Sequence, residues 1–234
     1  MVAYQNKLEV IRRILEEGII PVIRADSAEL ALRAITAIQN GGVSVIEITM
    51  TVPGAVEIIQ AMKSQLGSDA IIGAGTVRDK KTAQACISAG AQFIVCPILE
   101  LEVIRCCVEM GVAIMPGALT PTEVFKAWSA GADLVKVFPA SAVGGASYIN
   151  ALRIPLPEVL LVPTGGVSLK TAADFIRAGA AALGVGTDLV DIAVLKRGED
   201  HLISERAHQF LHTVLEARVS IAAARDINST VIGS

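Results

Sequence analysis

A short device recurs along this chain and dictates its architecture. A helical stretch ends at a small residue plus glycine, and an apolar strand starts within a few residues. It stands at Asn40-Gly41-Gly42-Val43, Ala89-Gly90-Ala91, Met110-Gly111-Val112, Ala130-Gly131-Ala132 and Ala178-Gly179-Ala180. Glycine just past a helix takes the left-handed conformation that other residues resist. Gly42 to Gly90 spans 48 residues, the next intervals are 21 and 20, and Gly131 to Gly179 is 48 again. Each long interval holds two units of roughly 24 residues, about the length of one strand–helix repeat.

Filling in the missing members predicts eight strands: Ile19–Arg24, Val45–Thr49, Ala70–Gly73, Gln92–Cys96, Ala113–Met115, Leu134–Phe138, Val159–Val162 and Ala182–Val185. Helix starts fit the same frame. Thr120-Pro121-Thr122-Glu123 is a capping box with proline at the first helical position. Asp26 with Glu29 forms a second box-like pair, and Ser168 is placed to cap another helix. The expected fold is α/β: a (β/α)8 TIM barrel with an additional N-terminal helix, as one domain over residues 1–224. A doubly wound open sheet is the alternative. The last helix is expected over about Glu205–Ala224, with residues 225–234 a polar, unstructured C-terminal tail.

Of the chain's 234 residues, 53% are hydrophobic but only 3% aromatic, so the core must be Ala, Val, Ile and Leu, the residues of helices packed on a parallel sheet. A net charge of −3 gives no basic footprint for nucleic acid, and no apolar run is long enough to span a membrane. Met1–Glu17 reads as an amphipathic helix rather than a signal peptide, and Cys86, Cys96, Cys106 and Cys107 lack metal-site spacing. The expectation is a cytoplasmic protein with buried free thiols. His201, His208 and His212 all follow the last strand, so neither a histidine metal centre nor a Ser-His-Asp triad is available earlier. His208 and His212, four apart on a helix, read as a solvated face.

Lys136 stands inside the apolar strand Leu134-Val135-Lys136-Val137-Phe138. Burial disfavours an ammonium, and a neutral amine attacks carbonyl carbon. The alternative is a lysine that escapes to solvent or pairs with a carboxylate. Glu47 is the second charge embedded in an apolar strand, Val45-Ile46-Glu47-Ile48. Strands two and six lie opposite each other in an eight-membered ring, so the pair faces across the mouth as nucleophile and acid/base, or else as a structural ion pair. Active sites of such folds lie at the strands' C-terminal ends. There Gly165-Gly166 and Gly186-Thr187 suggest an anion site, with ordinary turns as the alternative. Gly73-Ala74-Gly75 and Gly184-Val185-Gly186 each begin a dinucleotide-type G-x-G-x-x-G pattern and fail at its last glycine.

Taken in order, these segments resemble the 2-keto-3-deoxy-6-phosphogluconate (KDPG) and 4-hydroxy-2-oxoglutarate (KHG) aldolase family. The matching pieces are Gly41-Gly42-Val43 with Ile46-Glu47-Ile48-Thr49, Ile72-Gly73-Ala74-Gly75-Thr76-Val77 and Met115-Pro116-Gly117. Lys136-Val137-Phe138-Pro139-Ala140, Pro163-Thr164-Gly165-Gly166-Val167 and Gly184-Val185-Gly186 follow. The resemblance implies a class I aldolase on a trimeric barrel, with the phosphorylated keto acid as small-molecule partner and no cofactor or metal. Lys136 would form the Schiff base and Glu47 would shuttle protons. Thr76 and Pro116 would hold the pyruvyl end, with Phe138 packed beside the imine. The glycine loops with Thr187 would hold phosphate. Many members carry arginine where this chain has Thr51; Arg24 would then reach the substrate carboxylate, as in the subset whose second strand continues Thr-x-Thr-Val-Pro. Thr164 matches the gluconate-type enzymes. The alternatives are an aldolase for 4-hydroxy-2-oxoglutarate or for the 6-phosphogalactonate epimer, and a catalytically idle trimeric scaffold or ligand-binding module.

Overall fold

The computed structural model describes residues 2–66 and 69–232, with side chains over 6–66 and 69–224. Strands and helices alternate: α1 (Val2–Glu17), β1 (Ile19–Ile23), α2 (Ala28–Asn40), β2 (Val45–Thr49), α3 (Ala55–Leu66), β3 (Ile71–Gly75), α4 (Lys80–Ser88), β4 (Phe93–Val95) and α5 (Leu101–Met110). There follow β5 (Ala113–Met115), β6 (Gly117–Ala118), α6 (Pro121–Ser129), β7 (Val135–Val137), a 3-10 turn (Ala140–Val143), α7 (Ala146–Arg153), β8 (Leu161–Pro163), α8 (Ala172–Arg177), β9 (Leu183–Val185), α9 (Ile192–Lys196) and α10 (Asp200–Ile232). All eight expected strands are present, with ends shifted by one or two residues, and the fifth is divided. Pro116 has no N–H to give a neighbour, so the ladder breaks there and Gly117–Ala118 pairs onward with β7.

Pairing is parallel throughout, in the order β5-β4-β3-β2-β1-β9 and, in the second sheet, β6-β7-β8. The chain itself links the two sheets across Pro116, and a bridge between Thr164 and Gly184 links them again at the exit of β8. The result is a curled parallel α/β sheet with helices outside and a leading helix. Every strand residue is buried, the signature of a sheet covered on both faces. Alternate residues enter two apolar layers. Ile23, Ile46, Ile48, Ile72, Ile94 and Ile114 pack toward the outer helices. Ile20, Val45, Ile71, Phe93, Val95, Met115 and Val162 pack inside the curl, together with Val10 and Ile14 of α1.

α1 is fastened to the entry ends of the strands. The Glu17 carboxylate accepts from the Ser44 and Val45 N–H groups just before and at the start of β2. Arg13 donates to the Asp69 carbonyl before β3, and Lys7 pairs at 2.8 Å with Asp133 before β7. Asp133 in turn accepts from the Ile114 N–H at 2.9 Å. One end of the curl is thus covered, and the exit ends of the strands are left for chemistry.

Local signals were followed closely but not everywhere. Gly111 closes α5 at φ 67°, as its place in the recurring device requires. The capping box at Thr120 and Glu123 is formed. The N-cap of α2 is Ser27, whose hydroxyl accepts from the Leu30 N–H, while Asp26 is drawn away into an ion pair with Lys196. Ser168 caps nothing: its own N–H donates to Thr171 Oγ1, and α8 begins only at Ala172. The polar segment after Ala224 is helical as far as Ile232, not an unstructured tail. No glycine or proline interrupts it before Gly233, and Ala222-Ala223-Ala224-Arg225 are strong helix formers.

Candidate active site

Glu47 and Lys136 meet inside the curl. Both are 2% exposed, and Lys136 Nζ lies 3.9 Å from Glu47 Oε1. Their backbones are fixed by the ladder. Glu47 is in register with Val22 on β1 and Gly73 on β3, and Lys136 with Gly117 on β6 and Val162 on β8. The Lys136 N–H donates to the Pro116 carbonyl at 2.9 Å, so the break in strand five still holds the lysine's strand. Nζ also sits 5.4 Å from the centroid of the Phe138 ring. Glu47 Oε1 is buried and has no hydrogen-bond partner among the described residues. Leaving a buried acceptor unpaired costs about 1–3 kcal/mol, more for a charged one. A structural ion pair would be closed up and fully bonded. This one is held loosely, with an acceptor free beside an amine, which suits proton transfer at a group bound to nitrogen.

Glycine makes room for the carboxylate. A Cβ on Gly75 would lie 2.6 Å from Glu47 Cγ and nearer still to its carboxylate. Thr164, 7% exposed, is seated the same way against Gly184, where a Cβ would come within 3.1 Å of the threonine Cβ and closer to its hydroxyl.

A cavity of about 230 Å³ opens beside the pair at the strand exits. Its walls include Arg24, Phe138, Thr164, the Gly165-Gly166 turn and Gly186-Thr187. Phe138 on its wall lies against Lys136, and Val22 on its wall is the strand-register partner of Glu47, while Lys136 and Glu47 themselves are not among its lining residues. Gly165 and Gly166 take φ of 89° and 75°. Among the described residues, no loop hydrogen bond uses the N–H groups of Gly165, Gly166, Gly186 or Thr187. Arg24 is exposed and pairs with no described carboxylate. Backbone N–H groups and a guanidinium without a described partner on one cavity wall are chemically suited to an anion.

Other expected site residues lie elsewhere. Thr76 is in the loop leaving β3, at φ 58°, an uncommon conformation for a β-branched residue. Pro116 is buried at the break in strand five. Thr51 is exposed, outside the glycine-lined cavity, with its hydroxyl 2.6 Å from that of Thr49. Asp188, also on the cavity wall, carried no signal in the sequence, because an exposed aspartate after a glycine turn is ordinary. The cysteines are free and buried, and burial pushes the Cys96 thiol up to about 12 and that of Cys86 to about 11. The three histidines are exposed on α10, and His212 pairs with Glu216.

An amine and a carboxylate buried together in a curled parallel sheet, near a cavity walled by glycine turns and an arginine, suit amine–carbonyl chemistry. The family model described as KDPG and KHG aldolase matches residues 10–205, and the chain belongs to that family. A relative from Escherichia coli K12 named 2-dehydro-3-deoxy-6-phosphogalactonate aldolase is 38% identical over 172 residues, 73% of this chain and 83% of that protein. The KDPG aldolase of Legionella pneumophila, solved with pyruvate captured as a covalent carbinolamine, superposes with a TM-score of 0.78 at 27% identity, covering 85% of this chain and 96% of that one. A cube-shaped, porous protein cage designed by fusing symmetric oligomeric domains superposes with a TM-score of 0.83 at 32% identity, covering 92% of this chain and 78% of that one.

Proposed function

We propose that this chain is a class I aldolase that cleaves 2-keto-3-deoxy-6-phosphogluconate to pyruvate and glyceraldehyde 3-phosphate. The observation that carries the proposal is the buried Lys136–Glu47 pair, with a free carboxylate oxygen 3.9 Å from the amine. Lys136 Nζ attacks the C2 ketone and expels water, giving a protonated imine. Glu47, directly or through water, takes the C4 hydroxyl proton; the C3–C4 bond breaks, its electron pair enters the imine, and the aldehyde leaves. The enamine takes a proton at C3, and water returns to C2 to release pyruvate and the free amine. Phe138 packs beside the imine, and Thr76 and Pro116 flank the pyruvyl end. Arg24 grips the substrate carboxylate, and the Gly165-Gly166 and Gly186-Thr187 N–H groups take the phosphate.

Two linkages support a closed (β/α)8 barrel as the frame: the chain crossing at Pro116 and the Thr164–Gly184 bridge. A homotrimer is supported by the exposed apolar side chains Ile98, Leu101, Phe125 and Trp128, and by the likeness to a cage built from symmetric oligomeric domains. The four buried thiols agree with a reducing cytoplasm.

The likeness to a phosphogalactonate aldolase favours a second reading, cleavage of the C4 epimer. The Thr164 hydroxyl favours the gluconate substrate, because it lines the cavity and takes no described hydrogen bond, and sites that hydrogen-bond a hydroxyl discriminate strongly. A coupled pyruvate assay over both phosphorylated epimers and 4-hydroxy-2-oxoglutarate tests the assignment. Borohydride with pyruvate is expected to add irreversible mass to the wild type and none to Lys136→Ala. A Lys136→Ala protein that still cleaves the keto acid overturns the mechanism.

A further inference from the structure

The exit of β2 carries a hydroxyl relay that the aldol chemistry does not use. Thr49 is fully buried, and its Oγ1 donates to the Ile23 carbonyl at 2.9 Å. The only proton on that hydroxyl is committed, so the 2.6 Å contact between Thr49 and Thr51 has one direction: Thr51 donates and Thr49 accepts. The backbone holds this geometry from two sides. The Val52 N–H closes a turn on the Thr49 carbonyl at 3.0 Å, and the Met50 N–H donates to the Gly75 carbonyl at 2.8 Å.

Two consequences follow. Thr51 has no proton left for a substrate carboxylate, so while the relay is intact it offers only lone pairs to the solvent side and cannot stand in for an anion-gripping arginine. The relay's far end is the carbonyl of Ile23, the last residue of β1, and the next residue is Arg24. The register of β1 with β2 ends at Ile23, and the Arg24 side chain is exposed on the cavity wall without an ion-pair partner among the described residues.

We propose that Thr51 and Thr49 are positioning residues for Arg24: the chain Thr51 Oγ1–Thr49 Oγ1–Ile23 carbonyl fixes the peptide from which the arginine springs and so its aim at the substrate anion. The proposal rests on Arg24 being that anion's partner, and the test separates the two. Steady-state kinetics are measured for Thr51→Val, Thr51→Ser, Thr49→Val, Arg24→Gln and the Arg24→Gln/Thr51→Val pair, with thermal melting of each.

Valine keeps the shape of threonine and deletes the proton. The loss of about one hydrogen bond's worth of positioning is expected to raise KM about three- to tenfold, with kcat within about twofold. Thr51→Ser restores the donor and is expected to restore KM. In the Arg24→Gln background Thr51→Val is expected to add nothing. If Arg24→Gln raises KM but Thr51→Val does not, or if the two effects multiply, the relay falls and the reading of Arg24 stands. If Arg24→Gln leaves KM unaltered, both fall. Should buried Thr49→Val fail to fold, exposed Thr51→Val decides alone.

Discussion

Gly75→Ala is the most pointed single change this molecule allows. The backbone at Gly75 is ordinary strand, outside the positive-φ glycines, so alanine is conformationally compatible. The nearest obstacle is Glu47. The three atoms nearest a new Cβ are all in that side chain, with Cγ at 2.6 Å and the carboxylate closer. Carbon atoms rest at about 3.5–4.0 Å, so Glu47 must retreat by about 1 Å. Misplacing a catalytic group by that much costs about 100-fold in rate. Overpacking costs about 1–3 kcal/mol of stability, partly offset by about 0.4–1 kcal/mol from the stiffer unfolded chain. The net expectation is a loss of about 1–2 kcal/mol and a roughly 100-fold fall in kcat, with KM little changed. In a Glu47→Ala background the obstacle is gone, and the same substitution becomes neutral or stabilising by up to about 1 kcal/mol. Urea melts of the four proteins, read as a double-mutant cycle, test this sign change. An equal stability loss in both backgrounds would refute the claim that the Glu47 carboxylate fills the space Gly75 leaves.

Two further changes probe the rim and the scaffold. Gly166 takes φ 75°, and a Cβ there would come within 2.7 Å of Ser141 Oγ and nearer its Cβ, so Gly166→Ala must distort the turn. Losing one charge-assisted bond to phosphate should raise KM for the phosphorylated acid about 10- to 100-fold and leave 4-hydroxy-2-oxoglutarate nearly unaffected; equal losses on both substrates count against a phosphate site here. At α6, the N–H groups of Thr120 and Leu119 hold the Glu123 carboxyl below the usual carboxylate range. Its stabilising effect is therefore complete above the ordinary value and is lost as pH falls through the lower folded one. Glu123→Gln is expected to flatten the acid limb of a stability–pH curve; an unchanged limb would show that the cap carries no such linkage.

The repeat unit was legible because a glycine closes a helix at five regularly spaced places, and the two embedded charges because a lysine and a glutamate stand in strands otherwise apolar. The α2 cap was misplaced by one residue because Asp26 and Ser27 are equally good caps, and only the distant Lys196 decides between them. The helix after Ala224 was hidden because Asp226, Asn228, Ser229 and Thr230 are weak helix formers, and the segment only prolongs a helix already formed before it. The Thr49–Thr51–Ile23 relay could not be read from the sequence at all. Threonines two apart point to the same face of any strand, but whether a neighbouring carbonyl waits there depends on the register of β1 against β2.

The broken dinucleotide fingerprints have a physical explanation. Gly73-Ala74-Gly75 and Gly184-Val185-Gly186 share a spacing of two, so both glycines of each set point to one face of the sheet. On β3 the space above Gly73 is filled by the ring of Phe93, and that above Gly75 by the carboxylate of Glu47. On β9 the space above Gly184 is filled by Thr164, while a Cβ on Gly186, just past the strand, would meet no described atom within 4 Å, and Gly186 lines the cavity. Inside a curled sheet every strand presses on its neighbours, so a side chain there gains room where the adjacent strand gives up its own. Gly75 and Gly184 are therefore negative images of the polar groups next door and Gly73 that of an aromatic ring, and the missing third glycine is no defect because no helix start has to approach a pyrophosphate. The same reasoning explains why the glycines sit on the strands flanking Glu47 and Thr164 rather than on the strands that carry them.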